Sequence, residues 1–238
     1  DDVAEAEAWG LKDNLSLFPL ASYPIEQPSP AKLAQLRAHL ALQNKRIIAS
    51  YGFLMQHKGI IELVESMPDI LANEPNAHLL LVNALYSESV SGPVRNEVKQ
   101  IIAKLNLADS VTCIFDYLPD EESMCLLKLA DLVVYPYRES TESSSAAVRM
   151  AVSGRCNTAI TPVHLFADVA SGCITLPGSS PAAISRGVIE ILRKNEDDEW
   201  RKDRSLAINA LAKEIDSREL SDRLLGMVQG HIRRLDLR

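Results

Sequence analysis

The chain has 238 residues, of which 47% are hydrophobic and 24% charged, an ordinary globular composition that allows a sizeable core. Its 25 basic and 32 acidic side chains give a formal net charge of −7, which argues against nucleic acid as a general partner. No apolar run approaches the roughly 18–20 residues that a membrane span requires, and we expect no signal peptide.

The first elements along the chain are a connector and a helix. The proline-rich stretch at residues 16–30 predicts a short strand followed by an extended connector. Ser29 suits an N-cap and Pro30 suits the first helical position, so a helix is predicted over residues 31–43.

From residue 46 onward, short apolar segments alternate with longer amphipathic ones. The predicted strands are residues 46–52, 77–85, 110–118, 131–137, 156–162 and 173–177. The predicted helices are residues 59–74, 94–107, 120–130, 143–154, 181–194, 199–215 and 217–235. This alternation predicts an α/β fold, one doubly wound, Rossmann-like parallel sheet of about six strands with helices on both faces.

Ligands of doubly wound sheets bind outside the carboxyl ends of the strands. The candidate loops therefore follow Tyr51, Val82, Asp116, Tyr135 and Ile160.

The loop after the first strand, "YGFLMQHKGI", contains Gly52 and a Lys58–Gly59 pair at the start of a helix. A lysine beside a helix N-terminus is a plausible anion site, while a capped turn with a solvated lysine is the alternative. The spacing differs from that of a Walker P-loop.

The next two loops contain tyrosines. Tyr86 and the serines after it either line a cleft or cap the following helix, and capping is the favoured interpretation. Tyr117 follows Asp116 and is either a stacking surface for a nucleobase or a half-buried tyrosine. Acidic residues 120–122 suit the first turn of a helix.

The fourth loop lies in "YPYRESTESSSAAVRMAVSG", residues 135–154, and offers both hydroxyl and carboxylate groups. Its candidate residues are Glu139, Glu142, Ser143, Ser144, Ser145 and Arg149. Serine and backbone donors at a helix start suit phosphate oxygens, and carboxylates suit sugar hydroxyls. The pattern therefore fits a nucleotide-sugar pocket, but a capping cluster with a Glu142–Arg149 ion pair fits equally well.

The remaining titratable residues do not form an obvious metal site. In the fifth loop, His164 and Asp168 have the i, i+4 spacing of one helix face, and without a third ligand a surface pair or a positioning loop is favoured. The four cysteines form no C-x-x-C pair, so we expect buried free thiols in a reducing compartment. They are Cys113, Cys125, Cys156 and Cys173.

The order of these motifs resembles the carboxy-terminal domain of GT-B glycosyltransferases of the retaining GT4 type, the glycosyl transferases group 1 family. The segments "YGFLMQHKG", "LADLVVYPYRESTE", "AVRMAVSGRCNTAITPVHLFADV" and "CITLPGSSPAAISRGVIEILRK" carry this resemblance, which runs from about Arg46 to Arg193. Three positions differ from the family pattern. Phe53 stands where the family has an arginine. Thr141 and Arg149 stand where it has its two glutamates, and a one-residue shift would bring Glu142 into the first of these positions. The variant "ESSSAAVR" resembles a branch found in large multi-domain bacterial glycosyltransferases.

The resemblance implies a division of the chain and a set of roles. Residues 1–30 would be an interdomain linker or preceding strand. Residues 31–238 would be the nucleotide-sugar-binding half of a GT-B fold. Lys58, with backbone donors of Ser143 and Ser144, would bind the diphosphate. Glu139 or Glu142 would hold sugar or ribose hydroxyls, and Tyr117 would lie near the base.

The resemblance also implies partners and conditions for activity. The donor is a nucleotide-diphosphate sugar, the acceptor a glycan or a lipid-linked molecule, and no metal or other cofactor is expected. An amino-terminal acceptor domain would complete the enzyme, so this domain alone would be inactive. We expect bacterial polysaccharide biosynthesis in the cytoplasm, with peripheral contact to the inner membrane face as an alternative. A degenerate, non-catalytic scaffold domain of a glycan-assembly protein is the second hypothesis.

Overall fold

The computed structural model describes residues 6–11, 18–22, 24–139 and 142–236, and it confirms the predicted α/β fold. The strands are β1 (Arg46–Phe53), β2 (Ala77–Ala84), β3 (Val111–Ile114), β4 (Leu132–Tyr135), β5 (Thr158–Ile160) and β6 (Ile174–Thr175). They form one parallel sheet in the order β3-β2-β1-β4-β5-β6. The strand order reverses between β1 and β4, which creates a crevice at their carboxyl ends.

Helices cover both faces of the sheet. They are α1 (Pro30–His39), α2 (Ile60–Glu65), α3 (Met67–Asn73), α4 (Glu88–Lys104), α5 (Asp120–Leu127), α6 (Ala146–Ser153), α7 (Pro181–Lys194), α8 (Asp198–Glu214) and α9 (Ser217–Asp236). Side chains of a strand alternate between faces. In β1, Ile47 and Ala49 therefore pack into the core beneath α5, α6 and α8, and Ile48 packs beneath α2, α3, α4 and α7.

Two helix predictions were wrong. The single helix predicted over residues 59–74 is interrupted at Ser66, where α2 ends and α3 begins with Pro68 in its first turn. Proline lacks an N–H group, so it suits a helix start better than a helix interior. The helix predicted to begin at residue 94 begins at Glu88, because the Ser87 side chain caps it and the helix continues through Pro93.

Most other elements agree with the predictions, although several are shorter. Ser29 caps α1 through the Lys32 N–H, with Pro30 in the first turn, as predicted. The predicted strand over residues 110–118 is reduced to β3, and the helix predicted from residue 143 begins at Ala146. Much of the strand predicted near residue 16 lies outside the described residues.

The amino-terminal arm contacts the carboxy-terminal helices. Ser22 forms an isolated parallel bridge with Asp216, donating its N–H to the Ile215 carbonyl at 2.7 Å and accepting the Ser217 N–H at 3.0 Å. Leu224, Leu225 and Val228 of α9 are about half exposed. Within the described ranges, no helix combines the length and apolarity needed to cross a bilayer. The division at residue 30 stays a prediction.

The four cysteines carry free thiols. Cys125, Cys156 and Cys173 are buried as predicted, but Cys113 is only half-buried because β3 lies at the edge of the sheet. Burial raises the pKa of Cys156 to about 11 and that of Cys173 to about 12, so both thiols are protonated at neutral pH.

Candidate active site

A cavity of about 680 Å³ lies at the carboxyl ends of β1, β2 and β3, beside the first turn of α6. The loops after β1, β2, β3 and β4 all contribute to its lining, whereas the predicted loop after Ile160 does not. The site residues predicted from the sequence that line it are Gly52, Lys58, Tyr117, Glu142, Ser144, Ser145 and Arg149. The remaining predicted residues, Gly59, Glu139 and Ser143, lie outside this lining.

Two glycines, Gly52 and Gly59, allow the segment that contains Lys58 to pack closely against Ala147 and Pro136. Gly52 has φ +125°, and a Cβ there would lie 2.9 Å from the Cβ of Ala147 in α6. Gly59 has φ +68°, and a Cβ there would lie 1.8 Å from the carbonyl oxygen of Pro136. Both positions therefore require glycine, and Gly59 positions the loop rather than lining the cavity.

Lys58 is buried in the wall of the cavity rather than solvated. Its Nζ donates to Glu142 Oε2 at 2.9 Å and lies 4.2 Å from the centre of the Tyr137 ring. Nε2 of His57 lies 3.1 Å from the other Glu142 oxygen. Two nitrogen-bearing side chains of the first loop thus converge on one carboxylate of the fourth loop.

These contacts shift the pKa values of His57 and Glu142. Burial and the charge of Lys58 lower the pKa of His57 below 6.5, so the imidazole is neutral at pH 7. Burial alone would raise the pKa of Glu142, but the hydrogen bond and charge of Lys58, together with His57, hold it below its ordinary value. At neutral pH Glu142 is therefore an ionised carboxylate, and it accepts the hydrogen bond from Lys58.

The serines precede α6 instead of forming its first turn. Ser145 is the N-cap residue, but its side chain makes no capping bond and its hydroxyl lies 3.3 Å from the Tyr137 hydroxyl. One serine thus occupies the N-cap position, as expected, but without a side-chain capping bond. Ser144 and Ser145 line the cavity beside Ala146 and Ala147, whose N–H groups open the helix and have no intrahelical acceptor.

Arg149 is buried and bonded within the protein. Its Nε donates to the Leu20 carbonyl at 2.6 Å, one terminal nitrogen donates to the Ser145 carbonyl at 2.7 Å, and the other pairs with Asp168. The alternative Glu142–Arg149 ion pair is wrong, as is the surface pair of His164 and Asp168. His164 begins a short 3-10 helix that ends before Asp168, so the two side chains do not share a helix face.

Aromatic side chains form another part of the cavity lining. The Phe53 ring lies edge-on to Tyr86 at 5.5 Å and roughly parallel to Tyr117 at 6.2 Å, between ring centres. Tyr117 is 75% exposed, so the half-buried interpretation was wrong. Ser87 caps α4 as predicted, which leaves Tyr86 exposed in the cavity.

Several residues that contribute to the site were not predicted from the sequence. Leu20 and Ile25 of the amino-terminal arm line the cavity, although the proline-rich arm was interpreted only as a connector. His57 precedes the predicted lysine and contacts Glu142, and its position beside Lys58 was the available signal. Among the described residues, no cluster of three or more potential metal ligands is found.

A second cavity, of about 530 Å³, lies at the amino ends of β1, β4 and β5. Arg46 is in its lining and donates to Glu74 and Glu196, at 3.1 Å each, and to the Leu192 carbonyl. Asn157 also lines it and donates to the Asp131 carbonyl and to Asn195. The two terminal nitrogens of Arg46 and the amide nitrogen of Asn157 are thus bonded within the protein.

The sheet order and the cavity at the strand ends define a doubly wound α/β domain of the kind found in GT-B glycosyltransferases. The sequence model of the family described as "Glycosyl transferases group 1" matches residues 34–210, so the chain belongs to this family. Among curated protein sequences, none matches the chain.

Solved structures show the same fold. Sucrose-phosphate synthase from Thermosynechococcus elongatus is 18% identical with a TM-score of 0.74, covering 98% of this chain and 57% of that one. A glycosyltransferase from Rickettsia africae is 16% identical with a TM-score of 0.71, covering 84% and 52%. HepE from Anabaena, solved with UDP-glucose, is 17% identical with a TM-score of 0.70, covering 86% and 54%. The chain thus spans about half the length of these structures.

Proposed function

We infer that this domain binds the nucleotide-diphosphate sugar donor of a retaining, GT4-type glycosyltransferase. In the full-length enzyme the sugar passes to a glycan or lipid-linked acceptor. The observation that carries the proposal is the cavity at the carboxyl ends of the strands, which places Lys58 beside the first turn of α6. A cation and unpaired helix N–H groups suit a diphosphate without a bound metal.

Lys58 and Glu142 have complementary roles in this proposal. Lys58 Nζ donates a hydrogen bond to Glu142 over 2.9 Å. When the donor binds, Nζ donates to a phosphate oxygen as well as to Glu142, or in place of it. The Glu142 carboxylate then accepts hydrogen bonds from sugar hydroxyls. Arg149 takes the place of a family carboxylate and anchors the arm through the Leu20 carbonyl instead of contacting the ligand.

An amino-terminal acceptor domain completes the enzyme in this proposal. The chain covers about half of each solved relative, which leaves room for a second domain of similar size. The half-exposed leucines of α9 are one surface that such a domain would cover. A bacterial, cytoplasmic role in polysaccharide biosynthesis follows from the resemblance to multi-domain bacterial enzymes.

Calorimetry and thermal unfolding with UDP-, GDP- and TDP-sugars test donor binding by this chain. A ligand at a concentration of 100 Kd stabilises a folded protein by about 2.7 kcal/mol. We therefore expect binding heat and a higher Tm with at least one donor. If none of them produces heat or shifts the Tm, donor binding is excluded.

A second candidate function is a non-catalytic scaffold in a glycan-assembly protein. The internal bonds of Arg149, at a position where the family has a carboxylate, favour it. Turnover by the full-length protein distinguishes the two functions, because a scaffold has none. The donor-binding enzyme loses most of its turnover with Lys58→Ala or Glu142→Ala, and unchanged turnover in both variants contradicts these residue roles.

A further inference from the structure

Three exposed aromatic rings form a platform at one end of the cavity. Phe53 ends β1, Tyr86 follows β2, and Tyr117 follows β3, so three neighbouring strands each provide one ring. Strand register explains their proximity, because Phe53 pairs with Ala84 at the end of β2. The exposed fractions are 39% for Phe53, 61% for Tyr86 and 75% for Tyr117.

This platform is suited to a flat, uncharged ring. Exposed aromatic side chains stack on planar ligands such as nucleobases. The first ring of the platform, Phe53, stands where the resemblance predicts an arginine, so this wall offers stacking rather than charge. Phe53 and Tyr117 are roughly parallel, with ring centres 6.2 Å apart, whereas Tyr86 is nearly perpendicular to Phe53, with ring centres 5.5 Å apart. The most exposed ring, Tyr117, therefore provides the main stacking face for a base.

An acidic side chain adjoins the platform. Asp116 lies in the same cavity and directly precedes Tyr117 in the chain. Its exposed carboxylate forms no hydrogen bond or ion pair with any residue in the described ranges. An ionised carboxylate only accepts hydrogen bonds, so it favours a ring edge with adjacent donors and disfavours one with carbonyl oxygens.

Guanine has the edge that fits. Its N1–H and 2-amino group are neighbouring donors that match the two oxygens of a carboxylate. Uracil and thymine have a single N–H flanked by two carbonyl oxygens, and adenine places an acceptor beside its amino group. Building on the proposed function, we propose that this cavity selects a guanine nucleotide, with the platform stacking on the purine and Asp116 accepting from its Watson–Crick edge.

Calorimetric titration of the chain with GDP, inosine diphosphate, ADP and UDP tests this selectivity. Inosine diphosphate lacks only the 2-amino group, so we expect intermediate binding, with GDP at least about tenfold tighter than UDP. UDP binding as tightly as GDP overturns the inference but leaves the proposed function intact. Absence of binding by all four nucleotides contradicts the proposed function itself.

Two pairs of variants assign the selectivity to residues. Asp116→Asn weakens GDP about tenfold and UDP less than twofold, whereas Asp109→Asn, an exposed acidic control outside the cavity, changes neither. Tyr117→Ser weakens GDP binding, and Tyr117→Phe retains it because the ring remains. Equal weakening of GDP and UDP by Asp116→Asn contradicts the role of the carboxylate.

Discussion

Polar and aromatic residues make different contacts at the amino ends of the strands, here called the amino edge, and at their carboxyl ends, the carboxyl edge. At the amino ends of the strands, Arg46 and Asn157 bond to neighbouring protein groups and join β1, β4, β5 and α7. At the carboxyl ends, aromatic rings stay exposed and a buried lysine faces a cavity. Substitutions at the first edge should therefore change stability, and substitutions at the second should change binding.

The largest expected effect is a loss of stability at the carboxyl edge, where the other substitutions are expected to change binding. Gly59→Ala places a Cβ against the Pro136 carbonyl at a left-handed φ, and we expect a loss of at least about 3 kcal/mol in the free energy of unfolding. Urea denaturation measures the loss. Gly226→Ala is the control, because it lies in α9 with open space around it and should gain up to about 1 kcal/mol. Wild-type stability of Gly59→Ala would contradict the described loop.

Arg46→Met tests the amino edge. The variant leaves Glu74 and the Leu192 carbonyl without their donor, and partial exposure of Arg46 limits the expected loss to about 2 kcal/mol. Urea denaturation and nucleotide titration together check that stability falls while affinity does not. Arg201→Met breaks a solvent-exposed pair with Asp198 and should change stability by less than about 0.5 kcal/mol. A change in nucleotide affinity for Arg46→Met would contradict the claim that the amino edge affects stability and not binding.

Lys58→Met tests the carboxyl edge. Among the described residues lining the cavity, the cations are Lys58 and Arg149, and Arg149 is bonded within the protein. We expect affinity for a nucleoside diphosphate to fall at least about tenfold, because a charge-assisted hydrogen bond is lost. Calorimetry measures the fall. Lys99→Met, which removes a lysine outside the cavity, is the matched control and should bind as the wild type does.

The smallest expected effect concerns pH. The folded pKa of His57 is below 6.5, so as pH falls through 6.5 the unfolded state takes up a proton first and stability decreases. The depressed pKa of Glu142 acts in the same direction at lower pH. His57→Gln should reduce the loss between pH 7.5 and 5.5 by less than about 0.5 kcal/mol, given the solvent exposure of the site. Denaturation at both pH values measures it, and a steeper loss in the variant would reverse the assigned sign.

The fold was largely predictable because buried parallel strands appear as short apolar runs. Breaks inside helices were less predictable, since Pro68 starts a new helix whereas Pro93 lies within one. Propensity alone does not distinguish these cases, which depend on the packing of the flanking turns.

The site was predictable only in part. Lys58 and the serines follow predicted strands, so their location at the carboxyl ends of the sheet could be predicted from the sequence. The bond from Arg149 to the Leu20 carbonyl joins residues 129 positions apart, and no local pattern encodes such a contact. The aromatic platform likewise depends on strand order and register. From the sequence, Phe53 was interpreted only as the loss of a family arginine. Its contacts with Tyr86 and Tyr117 became evident only from the structure.

Mapping the bound nucleotide on the chain tests the central claim most directly. Amide NMR spectra of the isotope-labelled chain, titrated with GDP and UDP, report which residues sense the ligand. Donor binding at the carboxyl edge predicts the largest shifts at Gly59, Tyr86, Tyr117 and Ala146. Shifts confined to the amino-edge cavity around Arg46 and Asn157 would contradict the account.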